Sequence, residues 1–539
     1  MTDEAPEVRP PGARRASRSS RFAVRRRSDE GGRGGARAER VPRPRRRAHG
    51  LPGTVGLTFL GSLIPGAGYL YAGRRVLGSV VLLLWLSAIG AVAWYFGRDV
   101  GTSIDFAFHT TLLKVLAAGM GVALAVWALI VYTSHRLVRP RERPRWHTVT
   151  GYVSVALVLA MGAAPVALAA QYALVTADGI DTVFQETVKS QTIPQEATEE
   201  DPWAGQDRVN VLLLGGDGGE GRDGVRTDSV ILVSMDTNSG KTVMFSLPRN
   251  MMYAQFPEDS PLHDLYPDGY QTGLGDPGYD MLNAIYKEVP ELHPGVLGES
   301  DNEGADAIKL AVSGSLGVPV DYYMLVNLKG FQTIVDAMDG ITVNINEPVA
   351  INGNTSAGIP PTGYLEPGPD QHLDGFHALW FARGRYGSDD YQRMDRQRCA
   401  VNALIQAADP LTLLKRYVSI VKAGKEVVYT DIPRKLGSAF VQLLLKVKDA
   451  KVRSVVFKTS DKFYSGDPDF DYMRKVADKA LYPPKKEGGH RKHVKAAENP
   501  VDVCAYNPVD GSTDTSTDTS ADTSAGAASS TDPSGTATD

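Results

Sequence analysis

Three apolar runs, Val76 to Phe96, Leu112 to Tyr132 and Val149 to Leu174, constrain this chain more than any other stretch. Each offers about 20 residues with few charges, the length a helix needs to cross the hydrocarbon of a bilayer. A fourth run, Val55 to Tyr71, is interrupted by Gly61, Pro65, Gly66 and Gly68 and reads as interfacial or re-entrant. Arginine placement sets the orientation. Residues 1–49 carry roughly fifteen arginines and no lysine, and the link Gly73-Arg74-Arg75 and the loop His135 to Arg145 are also basic. The stretch Gly97 to Thr111 is not. Basic flanks stay in the cytoplasm, so the pattern predicts a multi-pass plasma-membrane protein, with its N-terminus inside and everything beyond Leu174 outside. The first apolar run starts too late for a cleavable signal peptide. The arginine-rich arm is of a kind that binds nucleic acid, but the spans behind it favour a membrane-surface role, so no nucleic acid is expected.

The 539 residues exceed one ordinary domain, and the formal net charge of -4 hides a basic start and an acidic remainder. The expected division is a disordered arm (1–50), a membrane domain (51–175), a polar linker (176–206), a folded outer domain (207–483) and a C-terminal segment (484–539). The Ser/Thr/Asp-rich end of that segment is low in complexity and disordered on composition. From Arg208 the pattern turns to short apolar runs, Val209–Leu214, Ser229–Met235 and Thr242–Leu247, bounded by Gly, Asn or Pro. These read as strands buried on both faces. Helices at Ala305–Leu316, Leu328–Met338, Thr412–Ala423, Leu436–Val447 and near Tyr472–Ala480 alternate with strands at Tyr322–Asn327, Ile341–Ile345 and Val452–Thr459. The fold class is therefore α/β, a mixed central sheet flanked by helices, preceded by transmembrane helices.

Two cysteines, Cys399 and Cys504, are the whole supply, with no metal-thiolate spacing. Outside the cell they would form a disulfide; in the cytoplasm they would be two thiols. The topology above favours the disulfide.

The chemistry concentrates between Leu373 and Val401. Arg383 and Arg385 close an apolar run. After a Gly-Ser turn a helix begins, with Ser388 as the N-cap and Asp389 and Asp390 in its first turn. Asp390, Arg393 and Gln397 share one helix face, and the stripe continues as Val401, Leu404 and Ile405. Polar groups on an inward stripe are costly unless paired, and arginine's planar fork suits phosphate. A solvated helix with surface ion pairs would carry the same residues. Upstream, Asp217 ends the first strand in a glycine-rich loop and Asp228 opens the second. Two carboxylates at adjacent strand ends suit a hard divalent ion, although a tight turn explains the glycines equally well. Arg249 follows the third strand, and Asn283 sits in Met281-Leu282-Asn283-Ala284-Ile285-Tyr286. There is no nucleophile elbow, no Walker lysine and no histidine pair for zinc.

These residues in this order resemble the LytR-CpsA-Psr family of membrane-anchored enzymes that attach glycopolymers to peptidoglycan. The resemblance runs from about Arg208 to Val447, through LLLGGD, RTDSVILVSMD, SLPRN, LNAIY, the block from Gly317 to Ile345, and FARGRYGSDDYQRMDRQR. It implies that Asp217 and Asp228 bind Mg2+. It also implies that Arg226, Arg249, Arg383, Arg385 and Arg393, with Asn283 and Gln397, hold the pyrophosphate of a polyprenyl-linked donor. Asp390 would act as a base or as the orienter of an arginine. The implied reaction moves a phosphoglycan to a peptidoglycan hydroxyl; a pyrophosphatase and a non-catalytic lipid-pyrophosphate binder are the alternatives. Departures from the family pattern are Asn250 for its aspartate, Met281 for its lysine, and three spans for one. The arm and the two cysteines resemble actinobacterial members.

Overall fold

The computed structural model describes residues 48–98, 100–140, 144–216, 226–353, 355, 358–407, 416, 419–423, 428–483 and 503–507. The arginine-rich arm, Asp217, half of the expected helix Thr412–Ala423 and the C-terminal tail lie outside them. The chain opens with α1 (Gly50–Leu63), α2 (Ala67–Tyr71), α3 (Arg75–Phe96), α4 (Val100–Phe108), α5 (Thr110–Val138) and α6 (Arg145–Val183). Of these, α3, α5 and α6 are long and apolar enough to cross a membrane. The interrupted run forms α1 and α2. At 14 residues α1 is about 21 Å long, too short to span, and the chain breaks at Gly66, whose φ of 104° favours glycine. Thr58 Oγ1 and His135 Nδ1, 2.9 Å apart and buried, tie α1 to α5.

Beyond α6 come β1 (Arg208–Gly216), β2 (Thr227–Asp236), β3 (Thr242–Leu247), α7 (Pro261–Leu265), α8 (Ile285–Leu292), α9 (Glu303–Leu316), β4 (Tyr322–Asn327) and α10 (Leu328–Ala337). They are followed by β5 (Ile341–Ile345), β6 (Val349–Ile351), β7 (Gly363–Leu365), β8 (Gly368–Leu373), α11 (Gly375–Arg383) and α12 (Asp390–Ala407). The described fold ends with β9 (Val428–Thr430), α13 (Gly437–Asp449), β10 (Val452–Val456) and α14 (Phe470–Leu481). Six strands form one mixed sheet in the order β10-β3-β2-β1-β4-β9, with β10/β3 and β1/β4 parallel and the other pairs antiparallel. The apolar runs lack alternation because both faces are covered. Leu212, Leu232 and Phe245 pack with α8, α9 and α14 on one face. Val211, Met235 and Tyr322 pack under Phe440 and Leu443 of α13 on the other. Each fully buried side chain of this kind stabilises the domain by roughly 1.5–3 kcal/mol.

The expected strand Ile341–Ile345 forms, but it pairs with β8 in a separate two-stranded sheet. That sheet and the β6/β7 pair pack with α10, α11 and α12 around a second core, which includes Cys399, Ala400 and Ala403. The inward stripe of α12 therefore runs through these residues and Leu404. Val401 and Ile405 are half-buried.

Residues 184–206, polar in composition, are packed onto the domain. Phe184, Ile193, Ala197 and Trp203 join the core under α13. Ser190 donates to Asp306 Oδ1 at 2.6 Å, and Asp306 also accepts from Ser300 and pairs with Lys309 at 2.9 Å. Lys309 is fully buried and bonds Asp431 as well. Here the anchoring interactions are hydrogen bonds to a buried ion cluster, which apolar periodicity does not report. The short helix α4 and the end of α6 also dock: Phe108 lies against Gly437, Gln442 donates to Asp105 at 3.1 Å, and Arg434 pairs with Asp181 and, just past α6, Glu186.

Asp321, 2% exposed, accepts from the Asn210 N–H at 2.8 Å, and burial pushes its carboxyl up to about 7. The folded state therefore binds a proton that the unfolded chain releases near pH 4. This term favours folding in acid, and the advantage is lost as pH rises from about 4 to about 7. Asp321→Asn should remove it, so the melting temperature of the variant should gain on the native protein across that interval, as measured by thermal shift in detergent.

Candidate functional site

The C-terminal ends of β1, β3 and β4 lie at one end of the sheet, beside the start of β2. Gly215 pairs with Ser229 but Gly216 pairs with Thr227, so Asp228 is the extra residue of a bulge. A bulge re-aims the side chain it carries, and Asp228 meets Arg249, which leaves the end of β3. Arg249 Nη1 donates to Asp228 Oδ1 at 2.8 Å, and its Nε lies 3.6 Å from Asp390 Oδ1. Asp390 accepts from Arg393 Nη2 at 2.9 Å and lies 3.8 Å from Arg385 Nη1. Arg393 closes the circuit by reaching the Asp228 carbonyl at 3.4 Å.

Arg393 is only 2% exposed. Burial holds its guanidinium down to about 10; Asp390 and Asp228 favour the cation, and Arg249 and Arg385 oppose it. It remains charged at neutral pH, crowded by like charges. Its Nε and that of Arg249 have no hydrogen-bond partner among the described residues, nor do Thr227 Oγ1 and Asn283 Oδ1. Buried polar atoms without partners are rare, and here they gather at one end of the sheet. The two unpartnered guanidinium Nε donors, within a cationic cluster, call for an anion with several oxygens.

The segment from α11 to α12 carries most of the cations. Arg383 ends α11 with its guanidinium 5.6 Å from the centre of the Trp380 ring, and Arg385 follows in the connection, exposed. The N-cap of α12 is Asp389, not Ser388. Asp389 Oδ1 accepts from the Gln392 N–H at 2.7 Å, and Gln392 Oε1 accepts from the Asp389 N–H at 3.2 Å. This reciprocal capping box needs a Glx three residues on, which Asp389 has and Ser388 lacks. Arg396 is the functional residue that sequence reasoning missed. It donates to the carbonyls of Phe381 and Gly384 and to Ser388 Oγ, so it clamps the connection that bears Arg385. Its place one turn from Arg393 was the available signal. Gln397 lies one turn beyond Arg393, half-buried. The Cys399–Cys504 disulfide, with Cα atoms 5.4 Å apart, holds residues 503–507 beside β5, where Asn344 and Asn346 donate to their carbonyls.

Asn283, 4% exposed, donates its N–H to the Arg249 carbonyl at 3.0 Å. Asn250 turns away and donates to Ser465 Oγ at 3.3 Å; the carboxylates beside Arg249 are Asp228 and Asp390. Arg226, at the start of β2, lies 5.5 Å from the Tyr279 ring centre and 3.6 Å from Glu288. Asp217 lies outside the described residues. The groups near Arg249 that suit a hard cation are oxygens, from Asp228 and the unmet Asn283 Oδ1. No cluster of three or more His, Cys, Asp or Glu occurs among the described residues. A Mg2+ shell completed by water and phosphate oxygens fits such a sparse donor set.

On the α13 face of the sheet Leu213, Val233 and Met324 are half-buried, whereas Val209, Val211 and Tyr322 are covered. A cavity of about 460 Å³ adjoins this face, between Met244, Val452 and Val456 of the sheet and Asp395, Arg398 and Asn402 of α12.

The LytR_cpsA_psr family model matches residues 174–485. The chain is 30% identical over 228 residues to the polyisoprenyl-teichoic acid–peptidoglycan teichoic acid transferase TagU of Bacillus mycoides, covering 42% of this chain and 60% of that protein. It is 28% identical over 250 residues to biofilm regulatory protein A of Streptococcus mutans, covering 45% and 53%. The crystal structure of Bacillus subtilis TagV is 25% identical, with a TM-score of 0.36, over 52% of this chain and 99% of that one. The chain thus spans less than two thirds of the two curated relatives, 60% and 53% of their lengths.

Arg396→Ala keeps every arginine of the anion set but unclamps their connection. Binding of inorganic pyrophosphate should weaken about tenfold, the loss of roughly one charge-assisted hydrogen bond, with unchanged circular dichroism. Calorimetry showing native affinity would remove Arg396 from this role.

Proposed function

Because the chain belongs to the LytR_cpsA_psr family, we propose that it is a cell-wall glycopolymer ligase. It takes a phosphoglycan from a polyprenyl-pyrophosphate carrier and joins it to a peptidoglycan hydroxyl as a phosphodiester. The observation that carries the reading is the circuit of Asp228, Arg249, Asp390, Arg385 and Arg393 around a nearly inaccessible guanidinium. The names of TagU and TagV, transferases of teichoic acid to peptidoglycan, support the substrate class.

Phosphoryl transfer needs positioning and charge neutralisation more than covalent help. Arg249, Arg385 and Arg393, joined by Arg226 and Arg383, grip the diphosphate and stabilise the charge that builds on its oxygens. An acceptor hydroxyl oxygen bonds to the sugar-proximal phosphorus, the bridging P–O bond breaks, and the proton ends on the departing polyprenyl phosphate. Asp390 serves as orienter rather than base, since its oxygens are engaged by Arg393 at 2.9 Å and face Arg249 and Arg385. Asp217 and Asp228 would hold Mg2+, which would supply further neutralisation of the phosphate oxygens. The lipid tail lies along the half-buried face of the sheet, beside Leu213, Val233 and Met324.

The arginine-rich flanks put the N-terminus and the His135–Arg145 loop in the cytoplasm, with α3, α5 and α6 spanning the membrane. A disulfide in the outer domain supports its placement in an oxidising compartment. The actinobacterial subtype rests on the arm and the cysteine pair; the relatives from Bacillus and Streptococcus lend it no support.

Arg249→Ala and Arg383→Ala should each lower the ligation rate by about a hundredfold or more while the protein stays folded. Mass spectrometry of the products distinguishes a polymer–peptidoglycan phosphodiester from free phosphorylated polymer or unchanged donor. Full activity in either variant removes that residue from the site. Asp228→Asn should abolish the Mg2+ dependence of pyrophosphate binding in calorimetry, and persistence of that dependence would exclude Asp228 as a ligand.

A further inference from the structure

Glu288, on α8, is 4% exposed and belongs to none of the ion pairs of the Asp228–Arg393 circuit. Its Oε1 lies 3.6 Å from Arg226 Nη2 and 3.9 Å from Lys287 Nζ, and it has no hydrogen-bond partner among the described residues. An ionised carboxylate at that depth is costly unless cations compensate it. Lys287 is shared with Glu291, 3.8 Å away on the outer side of the same helix. Arg226 is the nearer cation, and it immediately precedes β2, two residues before Asp228. Its side chain is 39% exposed, long and flexible, yet it has a carboxylate beneath it and the Tyr279 ring beside it. Two restraints from one short helical stretch, Tyr279 to Glu288, thus fix a side chain at the entry to β2.

We propose that Glu288 is a positioning residue for donor recognition, holding Arg226 at the strand end so that its guanidinium meets the pyrophosphate. The inference rests on the pyrophosphate reading above. Glu288 also exerts a repulsive field on the same anion. Arg226 sits 3.6 Å from it and offsets most of that field, so the positioning effect dominates. The two effects have different signatures. Positioning acts through Arg226 and vanishes with it, whereas a field acts on the anion whether or not Arg226 is present.

The experiment titrates farnesyl pyrophosphate, with Mg2+, into the full chain in detergent by calorimetry. Glu288→Gln should weaken binding about tenfold. Arg226→Ala should weaken it at least as much, and the double variant should match Arg226→Ala alone. Unchanged or tighter binding in Glu288→Gln, or a further loss in the Arg226→Ala background, overturns the proposal. If Glu288→Gln lowers the melting temperature, Glu288→Asp replaces it, with a smaller loss expected that again disappears without Arg226. A native protein that binds no farnesyl pyrophosphate overturns the ligase reading along with this one. Binding that Arg249→Ala abolishes and Glu288→Gln leaves intact overturns this one alone.

Discussion

The structure depends on keeping an arginine charged where water barely reaches. Arg393 is buried among other cations, and among the described residues its one side-chain counter-charge in hydrogen-bond range is Asp390. That arrangement is sustained by the elements around it. A bulge aims Asp228, the end of β3 delivers Arg249, and a capping box starts α12 at the position that places Asp390 one turn before Arg393. Removing a single partner from such a set leaves an uncompensated charge, which costs more than the pair contributes. The site and the local fold are therefore one construction.

Its layout follows from strand direction. Because β2 is antiparallel to both neighbours, β1 and β3 run the same way and release their following residues at one end of the sheet. The parallel partner β4 ends there too. Ligands of α/β sheets collect at carboxyl ends for this reason.

Much of this was legible in residue order. Continuous apolar runs gave the buried strands, because a sheet covered on both faces has no polar side to alternate with. The i, i+3 spacing of Asp390 and Arg393 gave a real hydrogen bond. What was illegible depended on contacts between distant segments. Arg396 acts on carbonyls, which carry no sequence signature. The stretch 184–206 looked like a tether because Ser190 and Gln191 are polar, and their partner Asp306 is more than a hundred residues away. The inward stripe of α12 shifted to Ala400 and Ala403, since close packing against α11 and the small sheets favours small side chains over Val401. Ser388 was a reasonable cap in isolation and lost to a neighbour with a reciprocal partner.

The docking of Ser190, Trp203 and Arg434 leaves no slack between the last long apolar helix and the sheet. A domain on a loose leash would sample a wide shell around its helices; this one is bolted to them like a lamp on a short bracket. The position of the site relative to those helices is set by architecture rather than by diffusion of the domain. Any ligand of the site meets it at one fixed distance from them.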